Sequence, residues 1–259
     1  MTPLSSQVST HSPAFQQARA ASLAALEDVR RLEALVRAES EGNRPKFEAR
    51  QQLLPRDRLS ILLDRGRPFL ELSALAGLGM HDDDGERRLQ GGGAISGVGW
   101  VSGARVMVFA HDAAIKGGAV SPMGLKKLLR AQEISLKQGL PLVMLAESAG
   151  ANLKYQSELF VEGGLAFAQQ ARLSAAGVPQ ITVVYGSSTA GGAYLPGLSD
   201  YVVMVKGKAR VFLAGPPLVQ AATGERSTDE ELGGAELHAR DTGLNEFLAE
   251  DDREATLIA

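Results

Sequence analysis

The sequence contains no cysteine. Disulfides, thiolate nucleophiles and cysteine-ligated metals are therefore excluded, and a reducing compartment is compatible with the chain. No apolar run approaches the roughly 20 residues that a membrane helix needs. Met1 to Ser6 lacks a charged start followed by an apolar core, so no secretory signal is expected. A dominant charge is lacking too. Lys and Arg number 27 against 30 Asp and Glu, a net charge of −3, which gives no broad electrostatic case for nucleic acid. Histidine is scarce: His11, His81, His111 and His238 show no spacing suited to a metal or a catalytic triad. Ser148, Ser187 and Ser188 lie in small-residue turns, but neither turn has the Gly-x-Ser-x-Gly form of a nucleophile elbow. The glycines make no dinucleotide fingerprint, and no Gly-Lys-Ser/Thr is present. Three acids, Asp82-Asp83-Asp84, stand together without further ligand spacing and read as a solvated turn.

What is present is glycine, 29 residues in clusters, within a chain of 259 residues that is 44% hydrophobic and 22% charged. That is the composition of an ordinary globular protein with one large domain or two small ones. Residues 1–14 are polar and expected to be disordered. From Phe15 to Glu39, Leu23, Leu26, Val29, Leu32, Leu35 and Val36 recur at helical spacing, which predicts an amphipathic packing helix. Arg44 to Arg67 is basic and reads as a solvated face, with phosphate contact as the lesser alternative. Phe69 to Leu72 reads as a short strand, and Gly77 to Gly85 as an exposed loop. Gly91 to Val101 and Arg105 to Ala110 read as a hairpin around Ser102-Gly103-Ala104. His111 to Ala119 reads as a loop, with His111 and Asp112 a loop pair rather than a dyad. Helical patterns follow at Pro122 to Gln138 and Glu158 to Ala176, and short strands at Val202 to Val205 and Val211 to Leu213. Alternating strands and helices after an early hairpin predict an α/β fold with a mixed sheet.

Two turns organise the chain: Glu147-Ser148-Ala149-Gly150-Ala151-Asn152-Leu153 and Gly186 to Tyr194. Each follows an apolar run, Leu140 to Ala146 or Ile181 to Tyr185, and each precedes a plausible helix start. Such runs read as buried parallel strands, and ligands bind beyond the carboxyl ends of those strands. The small residues Gly150-Ala151 and Gly191-Gly192 leave backbone N–H groups uncovered. Two donors of that kind at a developing enolate oxygen contribute roughly 3 kcal/mol each. The plainer reading is that these glycines make sharp strand-to-helix turns, and spacing alone favours it.

Seven motifs change that balance. They are Leu54-Pro55-Arg56-Asp57-Arg58, Gly91 to Gly99, Ala113-Ala114-Ile115-Lys116-Gly117-Gly118, Glu147 to Leu153, Ser187 to Tyr194, Leu213 to Val219, and Glu231-Leu232-Gly233-Gly234-Ala235-Glu236. In this order the chain resembles the carboxyltransferase (β) subunit of biotin-dependent acyl-CoA carboxylases, in the methylcrotonyl-CoA and geranyl-CoA carboxylase branch. The resemblance runs from about residue 19 to 254. It implies a crotonase-like fold of stacked β-β-α units, with residues 15–259 forming the N-terminal half of a two-half subunit. It implies an acyl-CoA substrate whose enolate is stabilised by the N–H groups of Ala151, Gly191 and Gly192. Carboxybiotin on a partner carrier would deliver the carboxyl group, and biotin itself would take the substrate proton, which explains the missing side-chain base. Lys116, with Gly117, Gly118 and Gly150, matches positions lining the CoA. Lys126, Lys127 and Arg130 are looser candidates for its phosphates. No metal is implied.

The implied partners are a biotin carboxylase/biotin carrier (α) subunit and a C-terminal carboxyltransferase half, in a homo- or hetero-oligomer without membrane or nucleic acid. The implied compartment is the bacterial cytoplasm or the mitochondrial matrix. The acyl group expected is a branched or terpenoid enoyl chain carboxylated at its γ-position, with Lys154 to Phe160 and Ser121 to Gly124 near it. Most relatives have Gly-Gly where this chain has Ala149-Gly150. Two alternatives stand beside this reading. One is a self-sufficient crotonase-like hydrolase, isomerase or decarboxylase using Glu158 or Glu162. The other is a non-catalytic binding module.

Overall fold

The computed structural model describes residues 6–259. Eight strands form one mixed sheet: β1 (Leu70–Leu72), β2 (Ala94–Val101), β3 (Ala104–His111), β4 (Leu142–Ser148), β5 (Gln180–Thr189), β6 (Tyr201–Val205), β7 (Arg210–Phe212) and β8 (Phe247–Ala249). The spatial order is β1-β2-β3-β4-β5-β6-β8, with β7 pairing the distal end of β5. The β1–β2–β3 pairings are antiparallel and all the others are parallel. The helices are α1 (Pro13–Glu41), α2 (Arg44–Glu48), α3 (Pro55–Leu62), α4 (Pro122–Gln138), α5 (Gln156–Ala175), α6 (Tyr194–Gly197), α7 (Pro216–Thr223), α8 (Asp229–Gly233), α9 (Ala235–Leu237) and α10 (Asp252–Ile258).

Both faces of the sheet are covered, so its central strands are apolar on both sides and read as continuous runs. Successive side chains still alternate between faces. Val106, Val108 and Ala110 of β3 share one core with Leu59 and Leu62 of α3 and Ala255 of α10. Met107 and Phe109 share the other with Leu125 and Leu128 of α4 and Leu159 and Leu173 of α5. Ser121 caps α4, accepting from the N–H of Gly124 at 3.0 Å, and Gly139 ends it in the left-handed conformation (φ 61°). These caps fix where the helix starts and stops, and hence where the chain turns back into β4.

Several boundaries differ from the sequence reading. Helix α1 begins at Pro13 because the Ser12 hydroxyl caps it, inside the span expected to be disordered; residues 1–5 of that span lie outside the described residues. The hairpin starts at Ala94, since Gly91, Gly92 and Gly93 all take positive φ (54°, 74° and 69°). Strand β5 runs on to Thr189, through residues read as a turn, because Ser187 to Thr189, past the end of the β6 pairing, gain a new partner in β7 while Ser188 still pairs with Ser148 of β4. The basic stretch is not uniformly solvated: Arg58 is 1% exposed and Arg56 is paired with Glu71. The acidic loop is built rather than loose. Asp83 accepts from the N–H groups of Gly79, Gly85 and Gln90, and Asp84 from those of Glu86, Arg87 and Arg88. No helix among the described residues is long and apolar enough to cross a membrane.

Candidate active site

Strands β3, β4 and β5 are parallel neighbours, so their carboxyl ends lie side by side. Beyond a register shift, Ser148 of β4 pairs with Ser188 of β5. Paired Cα atoms in such a sheet lie about 5 Å apart. Ala151 is three residues past Ser148, and Gly191 is three past Ser188. The two turns also touch directly. A Cβ on Gly150 would come within 3.7 Å of the Thr189 carbonyl, and one on Gly192 within 3.7 Å of Ser148 Cβ.

The first turn is held by its neighbours. Ser148 Oγ donates to the Gly118 carbonyl (2.9 Å) and accepts from the Gly150 N–H (3.1 Å). The hydroxyl is buried and fully engaged, which removes Ser148 as a nucleophile. Val120 N donates to the Gly150 carbonyl (2.8 Å), and Asn152 N to the Val120 carbonyl (3.0 Å). In a parallel bridge of this kind the intervening residue turns its own N–H to the opposite side. The Ala151 N–H accordingly has no backbone partner among the described residues. Gly118 is needed because a side chain there would strike the Glu147 carbonyl at 2.1 Å.

The second turn is a 3-10 helix, Ala190 to Ala193, with Thr189 at its N-cap position and no side-chain cap. The first two N–H groups of such a helix have no partner within it. Neither the Gly191 nor the Gly192 N–H bonds a group outside the helix among the described residues. Ala151 and Gly191 are the donors left open by the backbone pattern, and Gly192, which makes no bond to the Thr189 carbonyl, stays a third candidate. Ala190 holds φ at 52°, uncommon for a residue with a Cβ and a form of strain that clusters at functional turns.

Both turns open on one cleft of about 450 Å³. Gly150, Ala151, Ala190, Gly191 and Gly192 form its floor. Leu125 and Leu128 from α4, with Leu159, Phe160, Ala166 and Phe167 from α5, form its walls. Ala149 is exposed at the rim, so its methyl does not narrow the turn. Leu159 and Phe160, from the stretch expected near the acyl group, line this cleft. Lys154 and Tyr155 turn away to Asp82, and α4 contributes Leu125 and Leu128 rather than Ser121 to Gly124. Glu158 and Glu162 do not line the cleft; Glu158 is exposed and pairs with His81. The one titratable lining residue is His111. Burial pushes its pKa down to about 4, so it is neutral, and its Nδ1 has no hydrogen-bond partner.

A second cavity of about 660 Å³ lies along the other side of the His111 to Ala119 loop. Lys46, Arg50, Arg88 and Lys116 line it, with Glu39 and Asp82. Lys116 is exposed, takes a positive φ (49°), and donates to Asp82. That ammonium, together with Lys154 and Tyr155, holds the Asp82 carboxyl well below its usual range. Lys126 is exposed on α4 and lines neither cavity. Lys127 is not available to a phosphate. It is 4% exposed, its Nζ donates to the carbonyls of Gly91 (3.0 Å) and Ala94, and burial lowers its pKa to about 8. Lys46 and Arg50 belong to the basic stretch read chiefly as a solvated face, and Arg88 was not singled out, being distant in sequence from Lys116. The basic run Arg44 to Arg67 was the available signal.

Residues 46–259 match the model of the carboxyl transferase domain. The chain belongs to the carboxyl transferase family. It is 48% identical over 222 residues to the biotin-dependent 3-methylcrotonyl-coenzyme A carboxylase beta1 subunit of Mycobacterium tuberculosis, covering 85% of this chain and 41% of that one. The solved β subunit of P. aeruginosa geranyl-CoA carboxylase superposes with a TM-score of 0.89 at 54% identity, over 98% of this chain and 47% of that one. The transcarboxylase 12S structure with hydrolysed methylmalonyl-coenzyme A bound gives a TM-score of 0.81 at 30% identity, over 90% and 46%. The mixed sheet with flanking helices is the crotonase-like fold of these carboxyl transferase domains. The chain spans about two fifths of the length of the curated relatives it matches.

Proposed function

We propose that this carboxyl transferase domain binds an acyl-CoA and stabilises its enolate for carboxylation, as the N-terminal half of a biotin-dependent acyl-CoA carboxylase β subunit. The observation that carries this reading is the pair of adjacent turns, each with a free main-chain donor, opening on one apolar cleft without a charged side chain. The thioester oxygen sits between the N–H groups of Ala151 and Gly191. In a water-poor site such donors strengthen as negative charge grows on the oxygen. The acyl chain lies along Leu125, Leu128, Leu159 and Phe167, and a branched enoyl group suits that volume. The CoA phosphates run past Lys116 toward Lys46, Arg50 and Arg88, where point charges and guanidinium forks suit them.

The cleft holds no carboxylate base, and His111 is neutral and fixed in a wall. That fits a reaction whose proton acceptor arrives with the second substrate. Carboxybiotin, carried by a partner subunit, would supply the carboxyl group. This chain's part is to hold the thioester, polarise its carbonyl and exclude water. A C-terminal carboxyltransferase half and a biotin carrier (α) subunit complete the site, in a homo- or hetero-oligomer. The compartment proposed is a bacterial cytoplasm or a mitochondrial matrix, in line with the mitochondrial relatives.

The test is reconstitution. The chain alone should bind acyl-CoA by calorimetry and turn over nothing. Addition of a C-terminal half should restore carboxyl transfer from carboxybiotin. Hydrolysis or isomerisation of acyl-CoA by the lone chain, abolished in Glu162→Gln, would favour the self-sufficient enzyme instead. Absence of any heat with CoA esters would favour the binding module.

A further inference from the structure

Beneath the two donor turns lies a buried ionic cluster that the proposed chemistry does not use. Arg58 of α3 is 1% exposed. Its Nη1 donates to Glu147 Oε2 at 2.6 Å and its Nε to Asp252 Oδ2 at 2.9 Å. Its guanidinium lies 4.1 Å from the Tyr185 ring centroid. Gln52 Nε2 lies 3.3 Å from both Glu147 Oε1 and the Tyr185 carbonyl. The cluster thus joins α3, α10, the end of β4 and the middle of β5.

Its position coincides with the register shift between β4 and β5. Ala146 pairs with Val184, and the next pair is Ser148 with Ser188. One residue on β4, Glu147, therefore faces three on β5: Tyr185, Gly186 and Ser187. Bulges of this kind next to active sites re-aim the strand beyond them. The gap over Gly186 is filled by the Glu147 side chain, since a Cβ on Gly186 would lie 2.9 Å from Glu147 Oε1. The Glu147 main chain also abuts Gly118, and Ser148, the next residue, locks Gly118 and Gly150. A shift of Glu147 is passed to both turns without an intervening flexible joint.

We propose that Arg58 and Glu147 are positioning residues that fix the bulge, and with it the spacing between the Ala151 and Gly191 donors. This rests on the reading of those donors as the thioester site. A merely structural ion pair would make a different prediction, because buried pairs are often replaceable by apolar residues without loss of stability. The experiment uses this chain with an acyl-CoA carrying a 13C-labelled thioester carbonyl. Infrared difference spectroscopy reads the polarisation of that carbonyl, and calorimetry reads the affinity.

Wild type is expected to lower the carbonyl stretch relative to free acyl-CoA. The double variant Arg58→Met/Glu147→Met, and separately Glu147→Gln, should lose at least half of that shift while the acyl-CoA Kd changes less than about threefold. If the double variant fails to fold, Glu147→Asp carries the same readout; it keeps both charges and withdraws the carboxylate by one methylene. A folded variant that keeps the full shift would overturn the positioning role and leave the thioester site standing. No shift in wild type would overturn the thioester site, and the positioning role with it.

Discussion

The two cavities flanking the His111 to Ala119 loop are built on opposite terms. The acyl cleft is walled by Leu, Phe and Ala, and its polar contribution comes from main-chain N–H groups. The phosphate-side cavity is lined by Lys46, Arg50, Arg88 and Lys116, and its polar contribution comes from flexible side chains. On the proposed function, the difference follows from what each would recognise. A developing oxyanion needs donors already in place in a low-dielectric site, and turns anchored to a sheet supply them without reorganisation. A phosphate is a full charge in contact with water, and long cationic side chains can follow it there. Rigidity belongs to the first cavity and adaptability to the second.

If that contrast holds, removing a main-chain donor has the largest effect. In a complex reconstituted with a C-terminal half, Ala151→Pro should slow carboxyl transfer by roughly 100-fold or more, on the scale of a lost oxyanion donor. The acyl-CoA affinity of that variant should stay within about threefold. Weaker affinity with an unchanged turnover rate would mean that the donor serves binding alone.

Next comes the neutral wall of the acyl cleft. Folded His111 titrates at about 4, against an ordinary value of 6.5. Between those values the unfolded chain holds the extra proton, so stability falls as pH drops from 6.5 toward 4 and is unaffected above 6.5. The full loss is roughly 3 kcal/mol, from 1.36 kcal/mol per pKa unit. Asp112, whose carboxyl burial pushes up, acts in the opposite sense. Comparison of wild type with His111→Leu in denaturant melts from pH 4 to 7 isolates the histidine. A variant with the wild-type slope would refute its neutral burial.

On the phosphate side, single changes should be smaller. Lys116→Ala, Lys46→Ala and Arg50→Ala should each weaken CoA binding about three- to tenfold, an effect that shrinks as salt rises. Dephospho-CoA or a bare acyl thioester should blur the difference between these variants and wild type. The smallest effect is expected of Asp82→Asn. Asp82 accepts from Lys116, Lys154 and Tyr155, and removing its charge frees two ammonium groups. CoA should then bind about two- to threefold more tightly, as read by calorimetry at low salt. Weaker binding would show that Asp82 orients the lysines rather than competing for them.

The same contrast decides what was readable in the sequence. On the proposed reading, the acyl side leaves its mark as small residues at strand ends, Gly150-Ala151 and Gly191-Gly192, but their spacing alone favours plain strand-to-helix turns, and only the family resemblance points to donors. The alternation of Val106, Val108 and Ala110 with Met107 and Phe109 likewise made the central strands plain. The phosphate side was half legible. Lys116 stood in a motif, but Arg88 reaches it only because Asp83 and Asp84 fold the preceding loop back on itself. Lys127 was misread for the converse reason. Nothing in its local pattern shows that α4 turns it inward, toward the carbonyls of Gly91 and Ala94. Arg58 looked like one more basic surface residue. Its burial depends on Asp252, 194 positions away, and sequence neighbours carry no trace of that. Local backbone demands leave marks on local sequence, whereas long-range ion pairs do not.

A crystal structure of the chain with a non-hydrolysable acyl-CoA thioether ketone tests the central claim most directly. The ketone oxygen should lie about 3 Å from the amide nitrogens of both Ala151 and Gly191, with the acyl chain between α4 and α5. A ketone oxygen facing solvent, or bonded to one turn alone, would contradict the account.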